Sequence, residues 1–200
     1  MTSILKVDTI QDTDGNNIIN ENSNTITIGA SGDTTNIIGT LQNDGAAVGG
    51  NLKPAFSAYR ASTQTISDAT WTKVQFDTEV LDSDGTYDNS TNYRFTPAST
   101  GYYLINANVS LMTSAGANLM LDNYIQIYEN GAEAAVSQNY GNSSSKDSWG
   151  QHNLSCIIHS DNASDYYEIF AYADISSGSV EVAGNATKQF SSFNAFKLIL

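Results

Sequence analysis

The sequence has little positive charge, one cysteine and two prolines. Only 8 of its 200 residues are Lys or Arg, against 21 Asp and Glu, so the formal net charge is −13. So few cations cannot replace the counterions of a phosphate backbone, and we expect no binding of nucleic acid or of an anionic membrane surface. The single cysteine, Cys156, excludes an internal disulfide. Two prolines exclude a collagen-like or polyproline stalk.

Long apolar runs are also absent. None approaches the roughly 20 residues that a membrane-spanning helix needs. The first residues lack the basic and apolar regions of a secretory signal peptide. We therefore expect no membrane insertion and no signal peptide, and folding in a cytoplasm. Charged residues make up 14% of the chain, while Asn, Ser, Thr and Gly are abundant, which is typical of a β-protein with many turns.

Residues 1–52 contain no aromatic residue. Their apolar residues form small groups, mostly of isoleucine, separated by turn signals such as Asp14-Gly15. One copy of this segment has too little apolar surface to offset its chain entropy. It is therefore either disordered or an extended, β-rich stalk in which three chains share one interior. The β-branched isoleucines favour the stalk, and residues 45–50 then form a linker.

Residues 53–200 have the pattern of an all-β domain. One segment alternates clearly, with Tyr103, Ile105, Ala107, Val109 and Leu111 on one side and polar residues on the other. Eight main strands and one short strand, separated by tight and long connections, predict an antiparallel jelly-roll sandwich. The predicted strands cover residues 55–60, 71–76, 93–96, 103–111, 122–129, 132–138, 149–159, 166–173 and 191–200. The long loops are residues 61–92, 113–121, 139–148 and 174–190.

Catalytic patterns are missing, so we expect no enzyme. The two histidines, His152 and His159, are seven residues apart on one predicted strand and face opposite sides of its sheet. Three aspartates, Asp82, Asp84 and Asp88, fall in one loop that suits either Ca²⁺ or a solvated turn. Because the EF-hand spacing is absent, the solvated turn is favoured. No other cofactor is expected.

Four stretches of the C-terminal segment resemble the globular head of complement C1q and the wider C1q/TNF-like jelly rolls. The resemblance covers about residues 54–200 and implies a homotrimer with aromatic side chains at its axis. Two positions depart from the family pattern: Ala195 stands where glycine is usual, and Lys197 interrupts the closing apolar run. The matching stretches are Pro54-Ala55-Phe56-Ser57-Ala58, Tyr87-Asp88 with Phe95-Thr96-Pro97 and Gly101-Tyr102-Tyr103-Leu104, Tyr167-Glu168-Ile169-Phe170, and Phe193-Asn194-Ala195-Phe196-Lys197-Leu198.

The N-terminus carries a second resemblance. Leu5-Lys6-Val7-Asp8-Thr9-Ile10, with Asp14-Gly15, is similar to the opening of fibre and appendage proteins of tailed bacteriophages. Together the two resemblances imply a tail or head fibre at the virion surface. Residues 1–52 would bind other virion proteins, and the trimeric head would attach to a host-surface glycan or protein. The alternatives are a decoration or connector protein without receptor binding and, less favoured, a bacterial secreted or spore-surface trimer.

Binding residues are expected on the long loops, because loops held by a rigid scaffold carry most recognition. Their aromatic faces and amide groups suit a glycan. The candidates are Asn118, Tyr140, Asn142 and Trp149. For Tyr140 and Trp149 the alternative is simple packing at the edge of the sandwich.

Overall fold

The chain is all-β in the computed structural model, and it divides into two compact units, Met1–Gly50 and Asn51–Leu200. The described residues form no helix, and so they include no helix that is long and apolar enough to cross a membrane. The structure describes residues 9–11, 13–14, 17–22, 25–28, 31–38, 41–43, 46–47, 52–114, 119–141 and 147–199.

The first unit contains short antiparallel strands. Strands β1 (Thr9–Gln11), β2 (Asn17–Asn22) and β3 (Thr25–Ile28) form a three-stranded sheet in that order. Strand β4 (Gln42–Asn43) pairs with β5 (Ala46–Ala47). Several apolar side chains of this unit are exposed in the single chain. They are Ile10, Ile28, Ile37, Ile38 and Leu41, with Ile38 95% exposed. Their exposure is what the sequence leads one to expect of a lone copy, and the trimeric stalk stays a prediction.

The second unit is a sandwich of two antiparallel sheets, which confirms the predicted jelly roll. One sheet consists of β6 (Ala55–Tyr59), β7 (Gln64–Ile66), β9 (Thr78–Asp82), β12 (Gly101–Thr113), β15 (Trp149–Ser160), β17 (Val180–Val182) and β18 (Ser192–Lys197). We call it the β12 sheet; its order is β7-β17-β12-β18-β6-β9, with β15 also paired to β12. The other sheet consists of β8 (Thr72–Lys73), β10 (Tyr87–Asp88), β11 (Arg94–Phe95), β13 (Met120–Glu129), β14 (Ala132–Tyr140) and β16 (Tyr167–Ile175). We call it the β13 sheet; its order is β10-β11-β16-β13-β14, with β8 also paired to β16.

The core lies between the two sheets and is centred on aromatic rings. The alternation in β12 holds as predicted, since its odd-numbered residues from Tyr103 to Leu111 are buried. The Phe56 ring stacks on Tyr87 and Phe95, with centroids 4.6 and 4.7 Å away, and meets Phe193 edge-on at 4.8 Å. Such pairs contribute beyond the area that they bury.

Two predicted loops contain strands instead. Residues 61–92 include β7, β9 and β10, and residues 174–190 include β17. The short strand predicted at residues 71–76 is present but reduced to the two residues of β8. The other short strands were missed because their residues show no alternation: Val80 and Leu81, adjacent in β9, are both exposed. Pairing with distant strands, such as β6 with β9, places them in the sheet.

We expect Phe56→Ala to lower the free energy of unfolding by about 3–5 kcal/mol, because it leaves a cavity among three aromatic partners. Guanidinium unfolding followed by circular dichroism measures the change. Phe190→Ala, at an exposed position, is the matched control and should cost much less. Equal losses for the two variants would contradict the central place of Phe56.

Candidate functional site

Two of the predicted binding residues lie on different sheets. Tyr140 ends β14 and is 66% exposed, and its ring meets Tyr124 edge-on at 5.2 Å. Trp149 begins β15, is 48% exposed, and meets Phe190 at 6.2 Å. Each of the two rings thus packs against a different aromatic partner. The other two candidates, Asn118 and Asn142, lie outside the described residues.

Asp82 organises the turn of the acidic loop. Its carboxylate accepts hydrogen bonds from the backbone N–H groups of Asp84, Thr86 and Tyr87, at 3.3, 3.0 and 2.9 Å. Asp84 in turn accepts from the Ser83 hydroxyl at 2.6 Å. Both carboxylates thus have donors within the loop itself, which is the behaviour of a structured turn.

Asp88 does the same one turn later. It accepts from the backbone N–H groups of Ser90, Thr91 and Asn92 at 2.8–3.0 Å. The bonds from Thr91 and Ser90 hold the pKa of Asp88 well below its ordinary value, because they stabilise the charged form. Within the described ranges, no three His, Cys, Asp or Glu side chains are grouped to hold a metal ion. Asp82, Asp84 and Asp88 are therefore not grouped in this way.

The outer side of the β13 sheet carries an aromatic cluster that includes Tyr140. Tyr124 of β13 lies directly opposite Tyr172 of β16, with ring centroids 5.3 Å apart. Trp71, just before β8, lies 5.3 Å from Tyr172 and 6.1 Å from Tyr124. Further along the same side, Tyr128 stacks on Phe170 at 4.3 Å. We call this surface the aromatic face: Trp71, Tyr124, Tyr128, Tyr140, Phe170 and Tyr172.

A polar residue lies between the two halves of the aromatic face. Gln126 lies two residues from both Tyr124 and Tyr128 on β13, so all three side chains point to the same side of the sheet. Its side chain is buried, and its Oε1 has no hydrogen-bond donor among the described residues. Gln126 lines a depression of about 190 Å³ with Glu133, Ala134, Ala135 and Val136.

The outer side of the β12 sheet carries a second surface, which is apolar at one end. Leu104 of β12 lies opposite Ile157 of β15 and Phe196 of β18. Tyr102, two residues earlier, is 44% exposed, and Ile157 is 61% exposed. We call Tyr102, Leu104, Ile157 and Phe196 the apolar patch.

The other end of that sheet surface is polar. Asn106 donates to Asn194 at 3.1 Å and accepts from the Ser155 hydroxyl at 2.7 Å. These bonds tie β18, β12 and β15 together by side chains as well as backbone.

The two histidines take the opposite faces that the sequence predicts. His159 is exposed beside Tyr102, whereas His152 is buried between the sheets. The His152 Nε2 lies 2.6 Å from Asn123 Oδ1, an acceptor, so Nε2 carries the proton. Its Nδ1 then accepts from the Ser137 hydroxyl at 3.2 Å. Burial lowers the pKa of His152 below 6.5, because the charged ring would lose its water.

Close approach of two strands makes this buried network possible. A Cβ on Gly150 would lie 2.5 Å from Asn123 Oδ1, the atom bonded to His152. Only glycine at position 150 leaves that atom in place. No sequence motif marks this contact, because Gly150 and His152 lie on β15 and Asn123 lies on β13.

Sequence patterns also failed to predict most of the aromatic face. The one pattern that pointed to it was the recurrence of Tyr124 and Tyr128 on one side of a predicted strand. The partners Trp71 and Tyr172 come from distant parts of the chain, and only the folded sheet brings them together.

Comparison with known proteins supports the fold. No protein-family model and no curated protein matches the chain. The second unit is similar to a solved TNF, Eiger from S. frugiperda: identity is 11%, the match covers 72% of this chain and 92% of that one, and the TM-score is 0.53. Murine APRIL has 11% identity, coverage of 72% and 98%, and a TM-score of 0.49. The vertex protein P5 of PRD1 has 12% identity, coverage of 75% and 100%, and a TM-score of 0.48. The head is thus a TNF-like jelly roll, and at these identities the likeness concerns fold alone.

We expect acid to destabilise the head through His152. Its pKa is near 6.5 in the unfolded chain and lower in the folded one. Below pH 6.5 the unfolded state binds more protons, so the stability present above that pH falls as pH drops through the folded pKa. Guanidinium unfolding at pH 7.5 and 5.5 should show a smaller loss for His152→Gln than for wild type. His159→Gln, an exposed control, should retain the wild-type loss, and an unchanged loss in His152→Gln would contradict the prediction.

Calcium should have no effect on stability. The oxygens of Asp82 and Asp88 already accept backbone hydrogen bonds, and binding an ion would require those bonds to break. Thermal unfolding in EDTA and in excess Ca²⁺ should give the same midpoint. A higher midpoint in Ca²⁺ that is lost in Asp82→Asn would establish a metal site instead.

Proposed function

We propose that the chain is a non-enzymatic fibre protein of the virion surface, whose trimeric head attaches to a host-surface glycan or protein. Residues 1–52 anchor it to other virion proteins. The observation that carries the assembly part of the proposal is the apolar patch, which a single chain leaves open to solvent.

The apolar patch suits association with a second copy. Its four side chains are adjacent on a sheet surface, and exposed apolar clusters on otherwise polar proteins mark interaction sites. Ile157 lies on β15, and in the described part of the chain β15 pairs with no strand but β12, so the patch reaches the edge of its sheet. Packing against another copy would remove these side chains from water, worth about 25 cal/mol per Å² of apolar area. The C1q/TNF resemblance makes three copies the proposed number.

The exposed isoleucines of the first unit support the same conclusion. Ile28, Ile37 and Ile38 lie at the surface of the single chain. Neighbouring chains would cover them, as a trimeric stalk requires. The virion location rests on the resemblance of residues 5–15 to phage fibre and appendage proteins.

We expect Ile157→Asp to dissociate the oligomer, because it places a charge inside the proposed interface. Sedimentation velocity should show a shift from trimer toward monomer at micromolar concentration. Val136→Asp is the control, because Val136 is 46% exposed on β14, an end strand of the β13 sheet, and lies outside the patch. A trimer that survives Ile157→Asp, or a wild-type monomer, would refute assembly through the patch.

The attachment part is tested with fluorescently labelled full-length protein. Binding to host cells that competes with phage adsorption supports attachment. Binding to purified particles but not to cells supports the connector function instead. Particles assembled with a chain that lacks residues 1–50 should carry none of the protein if that segment is the anchor.

A further inference from the structure

We propose that the aromatic face binds a saccharide that carries no acidic group. This inference rests on the attachment function and names the ligand class for one surface of the head. It moves the site from the long loops to the outer side of the β13 sheet.

Aromatic rings at this surface are arranged for stacking. Trp71, Tyr124 and Tyr172 are half-buried and lie within 5.3–6.1 Å of one another, with interplanar angles of 35–44°. Tilted neighbours of this kind form a shallow platform, not an enclosed cage around a point charge. A sugar ring offers an apolar C–H face to such a platform, and half-buried rings lose little side-chain entropy on binding.

Hydrogen-bond acceptors border the platform. Asp122 lies opposite Tyr140 in the β13–β14 ladder and accepts the Gly141 N–H at 3.1 Å. Gln126 lies further along β13, and among the residues that the structure describes its buried Oε1 has no donor. A buried acceptor left unpaired costs about 1–3 kcal/mol. Because Oε1 itself is buried, the Gln126 amide would turn toward the adjoining depression to accept a hydrogen bond from a sugar hydroxyl there.

Charge selects against acidic sugars. Burial raises the pKa of Tyr172, and the negative charges of Asp174, Asp122 and Asp68 raise it further. These carboxylates therefore act on the platform and would repel a sialic or uronic acid. The one described cation over a ring of the face, Lys73 above Phe170, is paired with Glu168 at 2.5 Å. The net charge of −13 acts in the same direction.

The experiment uses the full-length protein and defined probes. Lactose, maltotriose and chitotriose are the neutral set, 3′-sialyllactose is the acidic partner of lactose, and pentalysine is a cationic peptide. Titration is followed by tryptophan fluorescence and calorimetry. At least one neutral sugar should bind, with a Kd on the order of 1 mM, and 3′-sialyllactose should bind at least tenfold more weakly than lactose where lactose binds.

Variants locate the site. Trp71→Ala should weaken binding of the neutral sugar at least tenfold, whereas Trp149→Ala, the chain's other tryptophan and on the other sheet, should leave it unchanged. Asp122→Asn should reduce the preference for lactose over 3′-sialyllactose. Circular dichroism and sedimentation confirm that each variant keeps its fold and assembly. Tyr172→Phe, which keeps the ring, should retain stacking.

Three results would overturn the inference: no neutral sugar binds, the acidic sugar binds as well as its neutral partner, or only pentalysine binds. The last would assign the face to a basic protein. Cell binding measured in parallel separates the two proposals. Cells bound without any sugar response would leave attachment standing and reject the saccharide. Sugar bound through Trp71 without binding to cells would support the saccharide site and reject attachment to the host.

Discussion

The fold of the head, Asn51–Leu200, depends on the side chains that its strands pack into the space between the two sheets. The contacts of Phe56 with Tyr87, Phe95 and Phe193 fix the register of β6, β10, β11 and β18, because a slip by one residue would exchange the inner and outer sides of a strand. The side chains on the outer sides of the strands take no part in this core, and they form the surfaces of the head. Both the apolar patch and the aromatic face are outer sides of strands whose inner sides build this core.

The two outer surfaces differ in chemistry, and the difference matches the two roles proposed for them. The apolar patch is aliphatic and aromatic at one end of the β12 sheet, so it suits a partner that brings the same kind of surface. The aromatic face is bordered by carboxylates and by the Gln126 amide oxygen, which has no donor among the described residues, and this suits a polar ligand that also has an apolar side. One sandwich can therefore assemble through one sheet and recognise a ligand through the other.

The fold was predictable where the sequence has period two. The alternation from Tyr103 to Leu111 identified the central strand β12. The strands predicted at residues 122–129 and 132–138 are β13 and β14, which form a hairpin around Asn130-Gly131. Strands β7, β9 and β17 were not predictable, because two neighbours in β9 are both exposed and pairing across the sheet decides their conformation. Most of the aromatic face escaped for a related reason: Trp71 and Tyr172 become neighbours only through the sheet. Tyr140 was identified for its residue type, and its connection to Tyr124 required the structure.

The contact between Gly150 and Asn123 has an evolutionary consequence. Position 150 lies between the exposed residues Trp149 and Gln151, yet any side chain there would displace the amide that holds the buried imidazole. A lineage can therefore replace this glycine only if Asn123 changes as well. Descendants that carry a side chain at position 150 should have lost Asn123, whereas those that keep Asn123 should keep the glycine.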